Sequence, residues 1–357
     1  MHVTLIAPAP FDTLSGGYIY DRRMVQGLCA AGHTVEVAEL AGHYPLTDEA
    51  ARHAARAAWN ALPPDTRPLI DGLALPAFLD LADELAAQDP VGLVHHPTAL
   101  ETGHSEADRA LLRQAERRLM PLLPRIIVTS EPTAERLTAD FGVDRARIAV
   151  VVPGTEEAPR SHGSNAPPCC ILSVGTLVPR KGHDVLLRAL ARLFDLEWRL
   201  TIAGSPDRDR VHARTLSAMA EELGIANRVR FAGELADCAL EELWREADLF
   251  ALATYWEGYG MAVAEGLRRG LPVAVTAGGA AASLVPVEAG VVCPPGDHES
   301  LSRAMRRLIF SPELRRDMAQ AAWQTGRKLP DWKTQTRAFA AALAGAEALR
   351  GNDDCAG

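Results

Sequence analysis

Two glutamates are the first residues in this chain whose spacing points to chemistry. Glu257 and Glu265 are separated by seven residues in Thr254-Tyr255-Trp256-Glu257-Gly258-Tyr259-Gly260-Met261-Ala262-Val263-Ala264-Glu265. An apolar strand precedes them at Leu249 to Leu252 and a helix begins at Met261, so one carboxylate falls in the loop and the other one turn into the helix. Gly258 and Gly260 let backbone amides approach a ligand closely, and a helix N-terminus favours an anion. Glu265 is placed to accept hydrogen bonds from sugar or ribose hydroxyls. The plainer alternative, a solvated loop glutamate and a helix glutamate that suits the dipole, carries equal weight for this segment alone.

A second segment, Ser173-Val174-Gly175-Thr176-Leu177-Val178-Pro179-Arg180-Lys181-Gly182-His183, ends another strand. Arg180 and Lys181 are adjacent cations beside a Gly-rich turn that opens on Gly175. They suit a diphosphate whose charge grows as a group departs from it, and would oppose a helix dipole without an anion. A third segment, Thr13-Leu14-Ser15-Gly16-Gly17-Tyr18, lets main-chain amides at Gly16 and Gly17 face a phosphate or a reacting sugar. It lacks the GxGxxG dinucleotide pattern, and a tight turn without a ligand explains it slightly better. The fourth is Val94-His95-His96-Pro97. A histidine at a strand end can hydrogen-bond a hydroxyl or take a proton near neutral pH. Neighbouring strand residues face opposite sides, so one of His95 and His96 is expected to be structural. No His, Asp or Glu at ligand spacing nearby supports a metal.

These loops need strands to hold them. Apolar runs alternate with amphipathic stretches, which is the pattern of βαβ units and doubly wound parallel sheets. Strands are predicted near Val3 to Ala7, Val35 to Leu40, Val91 to His95, Ile126 to Thr129 and Ile148 to Val152. After a break, further strands follow at Ile171 to Val174, Arg199 to Ala203, Val229 to Phe231, Leu249 to Leu252 and Val273 to Thr276. Helices are expected between them, near Gly17 to Ala30, Pro76 to Ala87, Ser105 to Leu119 and Pro132 to Phe141 in the first half. The segment Glu156 to Pro168, with four Pro or Gly residues among polar neighbours, reads as an interdomain linker. The expected domains are residues 1–160 and 168–331, with a final helix at about 332–350 returning to the first.

At 357 residues the chain is long enough for two cores. With 48% hydrophobic and 23% charged residues it reads as globular and soluble. Met1 to Ala7 enters a strand without signal-peptide features, which places the chain in the cytoplasm. A formal charge of −9 argues against a nucleic-acid partner. Six scattered cysteines (Cys29, Cys169, Cys170, Cys238, Cys293, Cys355) have no zinc spacing and read as plain buried thiols. Helix Ser105 to Leu119, carrying Arg109, Arg113, Arg117 and Arg118, offers at most a peripheral membrane contact, diluted by Glu106, Asp108 and Glu116.

Taken in this order, the segments resemble glycosyltransferase family 4, the retaining GT-B enzymes, over nearly the whole chain. The resemblance rests on Gly16-Gly17, Ala31 to Val37, Ser173 to Gly182, Arg230-Phe231-Ala232-Gly233-Glu234 and the Glu257/Glu265 pair, followed by Gly270-Leu271-Pro272-Val273. It implies an α/β fold of two Rossmann-like doubly wound domains facing across a cleft. It further implies that Arg180 and Lys181 bind a donor diphosphate. Glu257 would touch the donor sugar, near the amides of Tyr259, Gly260 and Met261. Glu265 would hold the ribose, Gly233, Glu234 and Leu235 would border the base, and His95 or His96 would lie near the transferred sugar. The implied reaction moves a hexose-type sugar, with retention and without a metal or other cofactor, from a nucleotide-diphosphate sugar to a hydroxyl on a small molecule, glycan or lipid. UDP is favoured over GDP. A GT-B epimerase and an inactive sugar-nucleotide binder are the alternatives. One departure concerns Ala280-Ala281-Ala282-Ser283, where the family often has an acidic residue after the Gly-Gly pair. The acceptor and the oligomeric state are not legible.

Overall fold

The computed structural model describes residues 1–101, 103–164 and 166–345. The chain divides into two compact units, one formed by Met1–Gly154 with the segment from Pro330 onward, the other by Thr155–Leu329.

The first unit runs β1 (His2–Pro8), α1 (Gly16–Ala30), β2 (Thr34–Leu40), α2 (Glu49–Asn60), β3 (Arg67–Asp71), α3 (Ala82–Ala87), β4 (Val91–Val94), α4 (Glu106–Leu119), β5 (Arg125–Val128), α5 (Glu131–Phe141) and β6 (Ile148–Val150). Its six strands pair in parallel in the order β2-β1-β3-β4-β5-β6. The order reverses between β1 and β3. Alternate strand residues feed two apolar layers. Ile6, Ile70, Val94 and Ile126 face one layer, while Leu5, Leu69, Leu93 and Ile127 face the other. Such two-sided burial is why β4 reads Val-Gly-Leu-Val without polar alternation.

The second unit runs β7 (Cys169–Val174), α6 (His183–Ala191), β8 (Trp198–Ala203), α7 (Arg210–Glu222), β9 (Val229–Gly233), α8 (Asp237–Glu246), β10 (Leu249–Leu252), α9 (Met261–Arg268), β11 (Val273–Thr276), β12 (Gly290–Cys293), α10 (His298–Phe310) and α11 (Pro312–Gly326). The strand order is β12-β11-β10-β7-β8-β9, which reverses between β7 and β10. Ile171, Leu200 and Ala251 enter one core; Leu172, Phe250 and Val273 enter the other.

Three elements lie outside the sequence reading. Helix α2 buries only Ala51, Ala55 and Trp59, so its apolar stripe is nearly all alanine, although Asp48 caps it by accepting from the Ala51 amide at 2.8 Å. Strand β3 is short and contains Pro68, and β12 has only four residues. The segment read as a linker is also different. The Ser161 N–H donates to the Arg269 carbonyl at 2.9 Å and its Oγ donates to the Ala247 carbonyl at 2.8 Å, while Ser164 Oγ donates to Asp248 at 2.7 Å. Those bonds hold it to the second unit, and the division between units falls at Gly154/Thr155.

After Leu329 the chain re-enters the first unit as α12 (Trp332–Ala344), capped by Asp331 and ended by Gly345 in the left-handed region. Its Phe339, Ala342 and Leu343 are buried with Tyr20, Met24 and Leu28 of α1. Gly27 makes this packing possible, because an added Cβ would lie 2.2 Å from Thr336 Oγ1. The part of the expected final helix beyond residue 345 lies outside the described residues. The cysteines are also less uniform than expected: Cys169 and Cys293 are buried, but Cys29 and Cys238 are exposed, and Cys355 lies outside the described residues.

Candidate functional site

In an open α/β sheet, the loops beyond the carboxyl ends of the two strands flanking the order reversal form a ligand crevice. In the second unit these are the loops after β7 and β10, and they carry Arg180, Lys181 and Glu257. The chain leaves β7 at Gly175, forms a short 3₁₀ turn over Pro179–Lys181 and enters α6 through Gly182 at φ 63°. Only glycine fits there, since a Cβ would lie 1.9 Å from the Ala253 carbonyl oxygen. This close approach joins the two loops. The Tyr255 amide donates to the Arg180 carbonyl at 2.8 Å, and Thr254 Oγ1 lies 2.9 Å from the same oxygen.

The side chains meet above this seam. Lys181 Nζ donates to Glu257 Oε1 at 2.6 Å, and Arg180 Nη1 lies 3.4 Å from the same oxygen and 2.7 Å from the Trp256 carbonyl. Thr254 Oγ1 is 3.2 Å from Glu257 Oε1. Burial works to raise the Glu257 pKa, but the charges of Lys181 and Arg180 and the bonds from Lys181 and Thr254 outweigh it and hold the carboxyl below its usual range. Behind Lys181, the buried His183 imidazole is pushed down to about 4, by burial first and Lys181 second, so it adds no charge near pH 7. Arg180 and Lys181 thus present a guanidinium and an ammonium side by side at the strand ends, the donor types that bind an oxyanion.

Glu257 is itself buttressed by backbone. Its amide donates to the Gly278 carbonyl at 3.0 Å, and its carbonyl accepts from Ala280 at 2.9 Å. Gly279, at φ 73°, would put a Cβ 2.2 Å from the Glu257 oxygen. The sequence signal for this buttress is the Gly278-Gly279 pair after a strand. The following Ala280–Leu284 turn is mostly apolar because Ala280 and Ala281 are buried, Ala281 lying 2.8 Å from where a Cβ on Gly260 would be. Gly258 is half-buried, Tyr259 and Gly260 are buried, and Gly260 at φ 103° forms the cap from which α9 starts at Met261. Glu265 is half-buried in the second turn of α9. Gly175 lies under the Lys181 stem, 3.2 Å from its Cδ to a built Cβ. Gly233 ends β9 at φ 69°, its carbonyl accepting from Gly204 at 2.8 Å, with Glu234 and Leu235 in the turn that follows.

In the first unit, the loops after β1, β3 and β4 gather a different group. Gly16 and Gly17 open α1. A Cβ on Gly17 would lie 3.1 Å from His95 Cδ2, so the Gly-Gly turn leaves room for that ring. His95 Nε2 lies 2.9 Å from Asp21 Oδ1, and His96 Nε2 lies 2.9 Å from Glu101 Oε2. The two histidines therefore have separate partners. Asp71, at the end of β3, joins His95 and Asp21, and one donor atom from each lies within 4.8 Å of the others. This corrects the expectation that nothing near His95 has ligand spacing: residues 21, 71 and 95 are distant in sequence and meet only through the sheet. The close His95–Asp21 contact identifies a hydrogen-bonded cluster.

Comparison with known proteins follows this division. The description "Glycosyltransferase Family 4" matches residues 16–158, and "Glycosyl transferases group 1" matches residues 154–325. D-inositol 3-phosphate glycosyltransferase from Corynebacterium glutamicum (strain R) is 29% identical over 245 residues, covering 64% of this chain. The alignment spans 58% of that relative's own length. Sucrose-phosphate synthase from Thermosynechococcus elongatus superposes with a TM-score of 0.79 at 18% identity, covering 96% of this chain and 99% of that one. Anabaena Alr3699/HepE, solved in complex with UDP-glucose, superposes with a TM-score of 0.74 at 18% identity over 96% of this chain and 100% of that one.

Proposed function

The chain belongs to glycosyltransferase family 4, and on that premise we propose that it transfers a hexose-type sugar, with retained configuration, from a UDP-sugar to a hydroxyl acceptor. The observation that carries this reading is the convergence of Arg180 and Lys181 on one buried carboxylate at the order reversal of the second sheet. A donor diphosphate bound there meets the guanidinium of Arg180 and the ammonium of Lys181. As the bond from the sugar C1 to the diphosphate oxygen breaks, Arg180 and Lys181 stabilise the charge arriving on that oxygen. The acceptor hydroxyl bonds to C1 on the same face, and its proton passes to the departing diphosphate. The two cations perform the neutralisation that a divalent ion supplies in other phosphate chemistries. Glu257, held in place by Gly278 and Gly279, contacts sugar hydroxyls beside the amides of Tyr259, Gly260 and Met261; Glu265 contacts the ribose, and Glu234 and Leu235 border the base. His95, seated against Gly17, is the histidine assigned to the transferred sugar. A UDP-glucose complex of a protein with the same fold supports the uridine choice. The alignment with an inositol phosphate transferase supports a hydroxyl acceptor.

The test is a melting series with UDP, GDP and ADP, followed by incubation with labelled UDP-sugars and detection of released UDP. A ligand at about 100 times its Kd adds roughly 2.7 kcal/mol of stability. UDP is expected to give the large shift and a UDP-sugar slow hydrolysis. Stabilisation by GDP alone would overturn the donor choice, and tight binding without turnover would overturn the transferase reading.

A further inference from the structure

The cluster in the first unit does more than seat a histidine. Asp21 is 1% exposed and Asp71 is 4% exposed. A carboxylate oxygen of Asp71 lies within 4.8 Å of one of Asp21, and Asp71 Oδ1 accepts from the Leu73 amide at 2.7 Å. Two carboxylates this close in apolar surroundings do not both stay ionised. Asp21 Oδ2 is buried and has no hydrogen-bond partner among the described heavy-atom contacts, and a proton carried on Asp71 gives it a donor. Around the imidazole, several sides are occupied, while 19% of the side chain stays exposed. Asp21 takes Nε2, Gly17 lies against the Cδ2 edge, and the Tyr20 ring meets it edge-on at 5.4 Å. The hydroxyls of Thr129 and Thr133 donate to the His95 carbonyl at 3.3 and 3.4 Å.

We propose that Asp21 and Asp71 are positioning residues that share one proton and clamp the His95 imidazole through Nε2, leaving Nδ1 as its only nitrogen for a sugar or acceptor hydroxyl. The clamp stands on the cluster's geometry; what Nδ1 meets rests on the transferase reading above. The charged groups facing the ring are Asp21 and Asp71, with the phenol of Tyr20 kept neutral by burial, and His96 next along the chain is engaged by Glu101. Their balance agrees with the clamp. Burial acts to lower the His95 pKa, yet Asp21 and then Asp71 bring it above its ordinary value. Burial and then the charge of Asp21 push Asp71 up to about 7.

The test is an NMR titration of His95 in the full chain, its signal assigned by its loss in His95→Gln. Asp21→Asn is expected to lower the His95 pKa by about one unit or more, whereas Asp71→Asn, which removes the shared proton's carrier but leaves Asp21 ionised, is expected to move it by less than about half a unit. Asp21→Glu is expected to restore most of the shift. An unmoved pKa in Asp21→Asn, or an equal fall in Asp71→Asn, would overturn the clamp. Should Asp21→Asn fail to fold, a full-unit fall in Asp71→Asn alone would do so. In transfer assays, Asp21→Asn is expected to lower kcat by about tenfold or more, the scale of a disturbed acid–base group, with UDP affinity unchanged. If the wild-type chain binds no UDP, the donor reading has failed, while the titration still decides the clamp. Stoichiometric zinc or manganese in the purified protein, whose removal by EDTA shifts the His95 signals, would also overturn it.

Discussion

The two sheets put inverse charge clusters at equivalent topological places. In the second unit, beside the reversal between β7 and β10, one carboxylate holds two cations. In the first, beside the reversal between β1 and β3, two carboxylates hold one imidazole. The first arrangement gathers a guanidinium and an ammonium at one strand end and suits an anion that arrives and leaves. The second has acidity to spare and must keep a proton, which suits a fixed, directed histidine. One architecture thus serves both a charge sink and a positioned polar group, and the difference lies in a few side chains at strand ends.

The largest expected effect breaks the cationic cluster. Lys181→Ala or Arg180→Ala is expected to lower kcat by about 10²- to 10³-fold, the range for losing one donor to a developing oxyanion, as read from UDP release under saturating donor. A loss of less than threefold would show that the pair does not face the leaving group. Next in size, Phe339→Ala empties a site between α12 and α1 and is expected to destabilise the first unit by about 3–5 kcal/mol, measured by denaturant unfolding. It tests whether α12 is integral to the unit that carries His95.

Stability against pH sharpens the comparison, because the two clusters have opposite signs. The Glu257 pKa is depressed, so its contribution is present above the unfolded value of 4.5 and is lost as pH falls through the lower folded value. Asp71 is raised from 3.8 to about 7, so the folded state holds more protons in that window and stability declines as pH rises through it. Glu116, pushed up to about 7 by burial against the bonds from Thr98 and Ala99, adds to the same decline. Asp71→Asn is expected to flatten this slope by up to about 1.4 kcal/mol per pH unit, and Glu257→Gln to reduce sensitivity only below pH 4.5. Melting temperatures from pH 2.5 to 8 separate the two. The smallest effect belongs to Gly17→Ala. Its Cβ would displace the His95 ring by a few tenths of an ångström, while alanine gains about 0.5–1 kcal/mol in a helix. Transfer is expected to fall while stability holds or rises; unchanged transfer would mean the ring's seat is not critical.

The cationic cluster of the second unit was largely legible in the sequence because each of its loops is a short contiguous segment ending an apolar strand. Arg180-Lys181 and Glu257 lie within two such segments, and the neighbouring strands bring them together. The histidine cluster of the first unit was half legible. Gly17 and His95 stand at recognisable strand ends, but Asp21 faces inward from a helix turn with no local mark, and Asp71 ends a strand hidden by Pro68. Helix α2 escaped for a similar reason, since alanines at Ala51 and Ala55 give little hydrophobic contrast. Parallel sheets bring together residues 50 positions apart, and such contacts have no local signature.

The measurement closest to the central claim is calorimetric titration of UDP into the wild-type chain and Lys181→Ala. The wild type is expected to bind UDP and the variant to bind at least about tenfold more weakly, which corresponds to about 1.4 kcal/mol. Equal affinity in a folded variant would contradict the assignment of Arg180 and Lys181 as the diphosphate site.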